Sequence, residues 1–117
     1  MSNNFLIKKI GVQSEISLVL VPAALDSMTA YDLLERILSL ANGKPTKIII
    51  NLEDVEYISS TGIEMLYRLQ RELFDQHVSV LVTNVPEKIF NLLEKVGVTT
   101  LLDITDSLEQ AVEQLTA

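Results

Sequence analysis

Lys47–Gln70 reads KIIINLEDVEYISSTGIEMLYRLQ, and its first six residues, KIIINL, form a near-continuous apolar run. Such a run, apolar without alternation, is the pattern of a central strand covered on both faces. Glu53, Asp54 and Glu56 then make an acidic loop, and Ser59-Ser60-Thr61-Gly62 opens a segment whose spacing predicts a helix over about Thr61–Gln76. Ile63, Leu66, Tyr67, Leu73 and Phe74 are expected on its inner side. A buried strand that leads through a loop into a helix is the repeating unit of α/β architecture.

Outward from that unit the same alternation continues. Upstream, Ala30, Leu33, Leu34, Ile37, Leu38 and Ala41 follow the i, i+3, i+4, i+7, i+8 pattern of an amphipathic helix, stopped by Asn42-Gly43-Lys44-Pro45. Before it, Phe5–Ile10 and Glu15–Pro22 read as two strands around a turn at Gly11–Ser14. Downstream, Val78–Thr83 (VSVLVT) is a second buried strand, and Pro86 sits just inside the next helix, where its missing N–H costs nothing. Ile89, Leu92, Leu93 and Val96 supply that helix's apolar face, and Gly97 ends it. Leu101–Ile104 reads as a short strand. Asp106 with Glu109 makes a capping box for a last helix whose Leu108, Ala111, Val112 and Leu115 face the core.

The order β-β-α-β-α-β-α-β-α predicts one α/β domain over residues 1–117, with a mixed sheet of four to five strands and right-handed helical crossovers. In such folds the loops leaving the C-terminal strand ends gather at one rim. Here that rim collects Ala23–Ser27, Glu53–Thr61, and Asn84 with Val85, so a site is expected there.

Composition narrows the chemistry. A chain of 117 residues, 48% hydrophobic, supplies one core but not two. The absence of cysteine excludes disulfides, thiolate catalysis and cysteine metal sites, and fits a reducing, cytoplasmic compartment. A net charge of −7, from 16 acidic against 9 basic residues, repels phosphate backbones, so nucleic acid is not expected as a direct partner. The most apolar stretch, Ile16–Leu25, carries Ser17 and Pro22 and has about half the length of a bilayer span, so no membrane insertion is expected. Met1–Asn4 is uncharged, and Lys8 and Lys9 interrupt the first hydrophobic segment, unlike a signal peptide.

Catalysis is not expected either. There is no P-loop lysine signature and no GxGxxG, so no nucleotide cofactor is implied, and Glu53, Asp54 and Glu56 lack the spacing of a metal loop. His77 is the only histidine, and it lies about 25 Å from Ser60 at the opposite end of one predicted helix. A direct nucleophile–base pair between them is excluded.

Three hydroxyls crowd the start of that helix. A hydroxyl there can cap free backbone N–H groups, and the same groups with the helix dipole can stabilise an anion carried on that oxygen. Ser60 is therefore read either as an N-cap or as a phosphate-bearing residue. Projected at 3.6 residues per turn, Gly62 points inward, where a side chain would block close approach. Thr61, Met65, Arg68 and Glu72 project outward, with Met65 open to two readings, an adaptable docking contact or an edge-of-core residue. Asp26 and Ser27 read as the entry to the first helix.

With these residues in view the chain resembles the STAS family, named for sulfate transporters and anti-sigma factor antagonists, and most of all its freestanding bacterial antagonists. Those show a strand, an acidic turn, and Asp-Ser-Ser-Gly or Asp-Ser-Thr-Gly before a helix; here the residues are Ile58-Ser59-Ser60-Thr61-Gly62. Leu25-Asp26 before the first helix, Asn84-Val85-Pro86 before the third and the closing Asp106–Leu115 segment extend the likeness over nearly the whole chain. The resemblance implies an anti-sigma factor antagonist of the cytoplasm that binds an anti-sigma factor acting also as a serine kinase. Phosphorylation silences it and a serine phosphatase restores it. Ser60 falls on the acceptor, and the partner-binding surface falls on Asp26, Glu53, Asp54, Ser59, Ser60, Thr61, Gly62, Met65 and Arg68. Ser59 stands where the family has aspartate, and Pro22-Ala23-Ala24 replaces a common glycine. These departures admit Ser59 or Thr61 as acceptor, or an unswitched scaffold or transporter-complex subunit, ahead of a nucleotide-binding protein or small enzyme.

Overall fold

The computed structural model describes residues 5–42, 46–74 and 76–116. Gly43-Lys44-Pro45, Met1–Asn4 and the side chain of Phe74, all read above, lie outside the described residues. Strands β1 (Leu6–Ile10) and β2 (Ile16–Leu20) form an antiparallel hairpin. The turn between them needs left-handed backbone at Gly11 (φ +97°) and Ser14 (φ 55°), which glycine adopts without strain. After a two-residue strand β3 (Ala24–Leu25), helix α1 (Ser27–Ala41) leads to β4 (Thr46–Asn51). A second two-residue strand, β5 (Tyr57–Ile58), precedes α2 (Ser60–Phe74). There follow β6 (Val78–Thr83), α3 (Glu87–Val96), β7 (Ile104–Thr105) and α4 (Leu108–Thr116).

The main sheet has the order β1-β2-β4-β6-β7, parallel except for β1, as the element order predicts. The apolar run of β4 is explained by its neighbours. Ile48 and Ile50 face a large core with Val19, Val80 and Val82 beneath α1, α2 and α3, whereas Ile49 faces Ile16, Leu18, Leu81 and Ala111 of α4 on the other side. Complete burial of one such isoleucine contributes about 1.5–3 kcal/mol, so both faces of this strand carry the fold. Leu108, Val112 and Leu115 of α4 lie partly buried against the smaller cluster, as expected.

Several expectations need correction. Pairing with β6 starts only where Val82 N donates to Asp103 O (2.8 Å), so the last strand is Ile104–Thr105 rather than Leu101–Ile104. Leu101 closes a turn onto Val98 O (2.9 Å) and Leu102 is buried as a plug. The cap of α4 is Ser107, one residue past Asp106: its hydroxyl accepts Gln110 N (3.2 Å), while Gln110 Oε1 accepts Asp106 N (3.1 Å). On α3 only Ile89 and Leu93 are buried, and Leu92 and Val96 turn outward because the seated stripe is narrower than the apolar one. Leu38 of α1 is likewise exposed.

A separate parallel ribbon pairs β3 with β5 beside the C-terminal strand ends. Two-residue strands have no periodicity to read, so neither shows in the sequence. At the opposite margin of the main sheet, Gln70 substitutes for missing strand. Its Nε2 donates to Val80 O (2.9 Å) and Asp103 Oδ2 (3.2 Å), and its Oε1 accepts Asp103 N (3.1 Å).

Candidate functional site

The site begins at the end of β4, where buried Asn51 folds the acidic loop. Its Oδ1 accepts Glu53 N (2.8 Å) and its Nδ2 donates to Glu53 Oε1 (3.1 Å), an Asx-type turn made by one side chain. Val55, buried, anchors the loop, and its N–H donates to Leu52 O (3.0 Å). Glu53, Asp54 and Glu56 remain exposed on the outside of that turn. The chain then crosses to β3: Glu56 N and Tyr57 N both donate to Ala23 O (2.7 and 3.1 Å), and Ser59 N donates to Leu25 O (3.0 Å). Two predicted rim segments, Ala23–Ser27 and Glu53–Thr61, are thereby brought together. Asn84, with φ 55°, instead accepts the Thr83 hydroxyl (3.0 Å) in its own turn.

The hydroxyls of the Ser59-Ser60-Thr61 cluster have different jobs. Ser59 is the N-cap of α2: its Oγ accepts Gly62 N (3.0 Å) and donates to Leu25 O (3.4 Å), and its carbonyl accepts Ile63 N (3.0 Å). The capping role read for Ser60 therefore belongs to Ser59, because the helix starts one residue earlier than the spacing suggests. Thr61 Oγ1 accepts from Ser27 Oγ (3.2 Å), a bond that ties the start of α2 to the start of α1. Ser60, the first helical residue, is exposed, and its hydroxyl makes no side-chain hydrogen bond among the described residues.

Gly62 is buried where α2 meets β3 and β5. A Cβ at this position would run into the Leu25 carbonyl oxygen and lie 2.9 Å from Ile58 Cγ1, so the helix start can approach the ribbon only with glycine here. Asp26 caps α1, accepting both Thr29 N (3.0 Å) and Thr29 Oγ1 (2.9 Å). The Thr29 N–H first, then its hydroxyl, hold the Asp26 carboxyl below its ordinary range.

Met65 is not a docking contact. It is fully buried, within the core cluster that holds Leu33 and Ile37 of α1, because α1 packs over the flank of α2 that the projection took as outward. Arg68 is half-exposed and paired with Glu72 (3.1 Å), about 12 Å along the helix axis from Ser60. His77 is exposed in the turn before β6, with φ 61°, where its carbonyl accepts Thr46 N (3.3 Å). Asn51, which shapes the loop, passes unnoticed in the sequence; its place at the end of an apolar run is the one signal for it.

Between Lys47 and Arg68 there is no basic residue, and Glu53, Asp54, Glu56 and Glu64 fall in that interval. Along the chain, Ser60 is therefore flanked by carboxylates alone. Among the described residues no three His, Asp or Glu side chains converge to hold a metal ion, and no helix is long and apolar enough to cross a membrane.

A family model described as the STAS domain matches residues 8–111. The chain belongs to the STAS domain family. Solved structures share this architecture at low identity. An anti-sigma factor antagonist from Mycobacterium paratuberculosis is 20% identical with a TM-score of 0.80, over 97% of this chain and 94% of that one. The antagonist SpoIIAA in its unphosphorylated form is 17% identical with a TM-score of 0.77, over 97% of this chain and 96% of that one. A murine anion transporter of the solute carrier 26 family is 14% identical with a TM-score of 0.74, over 87% of this chain. This STAS chain spans only 18% of that transporter's length. A search of curated protein sequences finds no match.

Proposed function

We propose that this STAS domain is an anti-sigma factor antagonist of the bacterial cytoplasm, a binding protein without catalysis of its own, switched off by phosphorylation of Ser60. The observation that carries the reading is the separation of roles at the start of α2. Ser59 caps the helix, Thr61 is tied to Ser27, and Ser60 alone of the three presents an unengaged, exposed hydroxyl. Likeness along nearly the full length of freestanding antagonists supports the same assignment.

The partner would be an anti-sigma factor that is also a serine kinase. Ser60 Oγ attacks the γ-phosphorus of ATP held by that kinase, the hydroxyl proton is lost, and ADP leaves. The product carries about −1.5 to −2 charges at neutral pH. Gly62 N and Ile63 N are already satisfied by Ser59, whereas the N–H groups of Ser60 and Thr61 point from the helix start without a backbone partner among the described residues. Those donors and the helix dipole make the phosphoryl group tolerable within this chain. Across an interface fitted to a neutral hydroxyl, the same charge adds to that of Asp26, Glu53, Asp54 and Glu56 and opposes docking. A serine phosphatase would hydrolyse the ester and restore binding.

Ser60→Ala is expected to retain capture of the cognate anti-sigma factor in pulldown, and Ser60→Asp to weaken it by about tenfold or more. After incubation with that kinase and ATP, peptide mapping should place the added phosphate on Ser60. Equal capture by both variants, or a phosphate mapped to Ser59 or Thr61, would remove Ser60 from the mechanism.

A further inference from the structure

Met65, expected to offer an apolar contact beside the hydroxyl cluster, is buried, so such a contact must come from another element. Helix α1 supplies it. Met28 and Tyr31 stand in its first two turns with 69% and 52% of their surface exposed, whereas Ala30 and Leu33 of the same turns are fully buried. Three residues apart on a helix, the two exposed side chains are neighbours on one face. An adjacent methionine and tyrosine differ from apolar residues scattered singly over a surface, and both types are enriched where proteins meet.

Their place relative to Ser60 is set by the bond from Ser27 Oγ to Thr61 Oγ1 (3.2 Å). Met28 follows Ser27 and Ser60 precedes Thr61, so through that bond the Cα atoms of Met28 and Ser60 are at most about 16 Å apart. A partner patch of ordinary size, roughly 800 Å² and about 30 Å across, that covers the Ser60 hydroxyl therefore reaches Met28 and Tyr31 as well. Charge narrows the partner's chemistry. Over residues 27–35 of α1 and 60–67 of α2 the only charged side chains are Asp32, Glu35 and Glu64, and the cap Asp26 adds a fourth carboxylate. The first basic residues of the two helices, Arg36 and Arg68, come later, and Arg68 is paired with Glu72 (3.1 Å).

We propose that the anti-sigma factor kinase holds Met28 and Tyr31 in an apolar pocket edged by lysine or arginine side chains, so that α1 selects which kinase docks. The proposal rests on the Ser60 switch and adds a second determinant to it. Ser60 controls whether docking occurs, and the α1 pair controls the choice of partner. A tyrosine and a methionine seated in a desolvated pocket act as anchors. Cations at the pocket's edge meet Glu35 and Glu64, which steers the encounter and disfavours acidic partners.

The probes are the purified anti-sigma factor kinases of the organism that carries this chain, titrated against the parent and its variants. Met28→Ala/Tyr31→Ala should weaken binding of the cognate kinase about tenfold or more, and Met28→Leu/Tyr31→Phe should bind within about threefold of the parent. Glu35→Lys should slow association and reduce its dependence on salt. Because both apolar side chains are exposed and alanine is the better helix former, the double-alanine variant should melt at or above the parent and remain interpretable. Equal binding by the double-alanine variant, with Ser60→Asp still impaired, would overturn the proposal and leave the switch standing. Weak binding by the double-alanine variant, with Ser60→Asp unimpaired, would remove the switch and keep the α1 contact. If no kinase binds the parent, both fall. Dimerisation of the parent that the double-alanine variant abolishes would assign the pair to a second copy of the chain and likewise overturn the proposal.

Discussion

Helices α1 and α2 begin side by side, joined by the bond from Ser27 to Thr61, and their first turns match position for position. Asp26 and Ser59 are the caps, Ser27 and Ser60 come first, Met28 and Thr61 second, Thr29 and Gly62 third. In α1 the turn is closed on itself: the Asp26 carboxylate takes both donors of Thr29, and the Ser27 hydroxyl is engaged by Thr61. In α2 the cap is a neutral oxygen that reaches Gly62, and the residue after it is left free. The difference shows how Ser59, standing where the family has aspartate, can keep the helix capped while removing a negative charge next to Ser60. The cap and the exposed, unengaged hydroxyl thus fall on adjacent residues.

The largest test of that comparison is at the third position. Gly62→Ala improves helix propensity by about 1 kcal/mol, yet its Cβ must displace the Leu25 carbonyl and Ile58. A backbone oxygen cannot swing aside as a flexible side chain can. The net expectation is a loss of about 1–3 kcal/mol, read as a lower melting temperature by circular dichroism. Thr29, at the matching place in α1, already carries a Cβ without such a clash. A Gly62→Ala chain that melts at or above the parent would mean that α2 does not press against the ribbon.

Next in size is the cap itself. Ser59→Ala removes the acceptor of Gly62 N and should cost about 1 kcal/mol in chemical denaturation. Ser59→Asp supplies a carboxylate acceptor of similar capping strength and should leave stability at neutral pH within about 0.5 kcal/mol of the parent. Full retention of stability by the alanine variant would break the assignment of Ser59 as the cap.

Much of this was legible beforehand, and the exceptions have physical causes. Four of the five main-sheet strands and the four helices follow from the β1–β2 segments, Ile48–Ile50, the β6 run and the helical spacing of residues such as Leu33 and Leu93, because large apolar faces leave periodic traces, whereas the two-residue β7 was expected at Leu101–Ile104. Gly62 was legible as an inward position for the same reason. Met65 was misplaced because a helical projection gives direction but not what a neighbouring helix covers, and α1 buries the flank on which Met65 lies. The exchange of roles between Ser59 and Ser60 turns on a one-residue shift of the helix start, which propensity does not resolve. The β3–β5 ribbon, two residues on each side, leaves no pattern at all, and yet it sets the distance between Leu25 and the whole site.

The smallest expected effect concerns charge at the two caps. Asp26 is held below the ordinary aspartate value of 3.8, chiefly by the Thr29 N–H. Because the unfolded chain takes up this proton at higher pH than the folded chain, the cap's contribution is fully present above that value and is lost as pH falls through the lower folded one. Asp26→Asn keeps an acceptor oxygen but cannot titrate. Its melting temperature should therefore differ from the parent's by a constant amount between about pH 5 and 7, and the difference should shift in the variant's favour as the parent's carboxylate is protonated below about pH 4. Ser59→Ala should show a constant difference throughout, since a hydroxyl cap carries no such proton, whereas Ser59→Asp should import the acid dependence into α2. A flat Asp26→Asn difference down to about pH 2 would show that the α1 cap does not depend on its charge, and the contrast between the two helix starts would reduce to geometry alone.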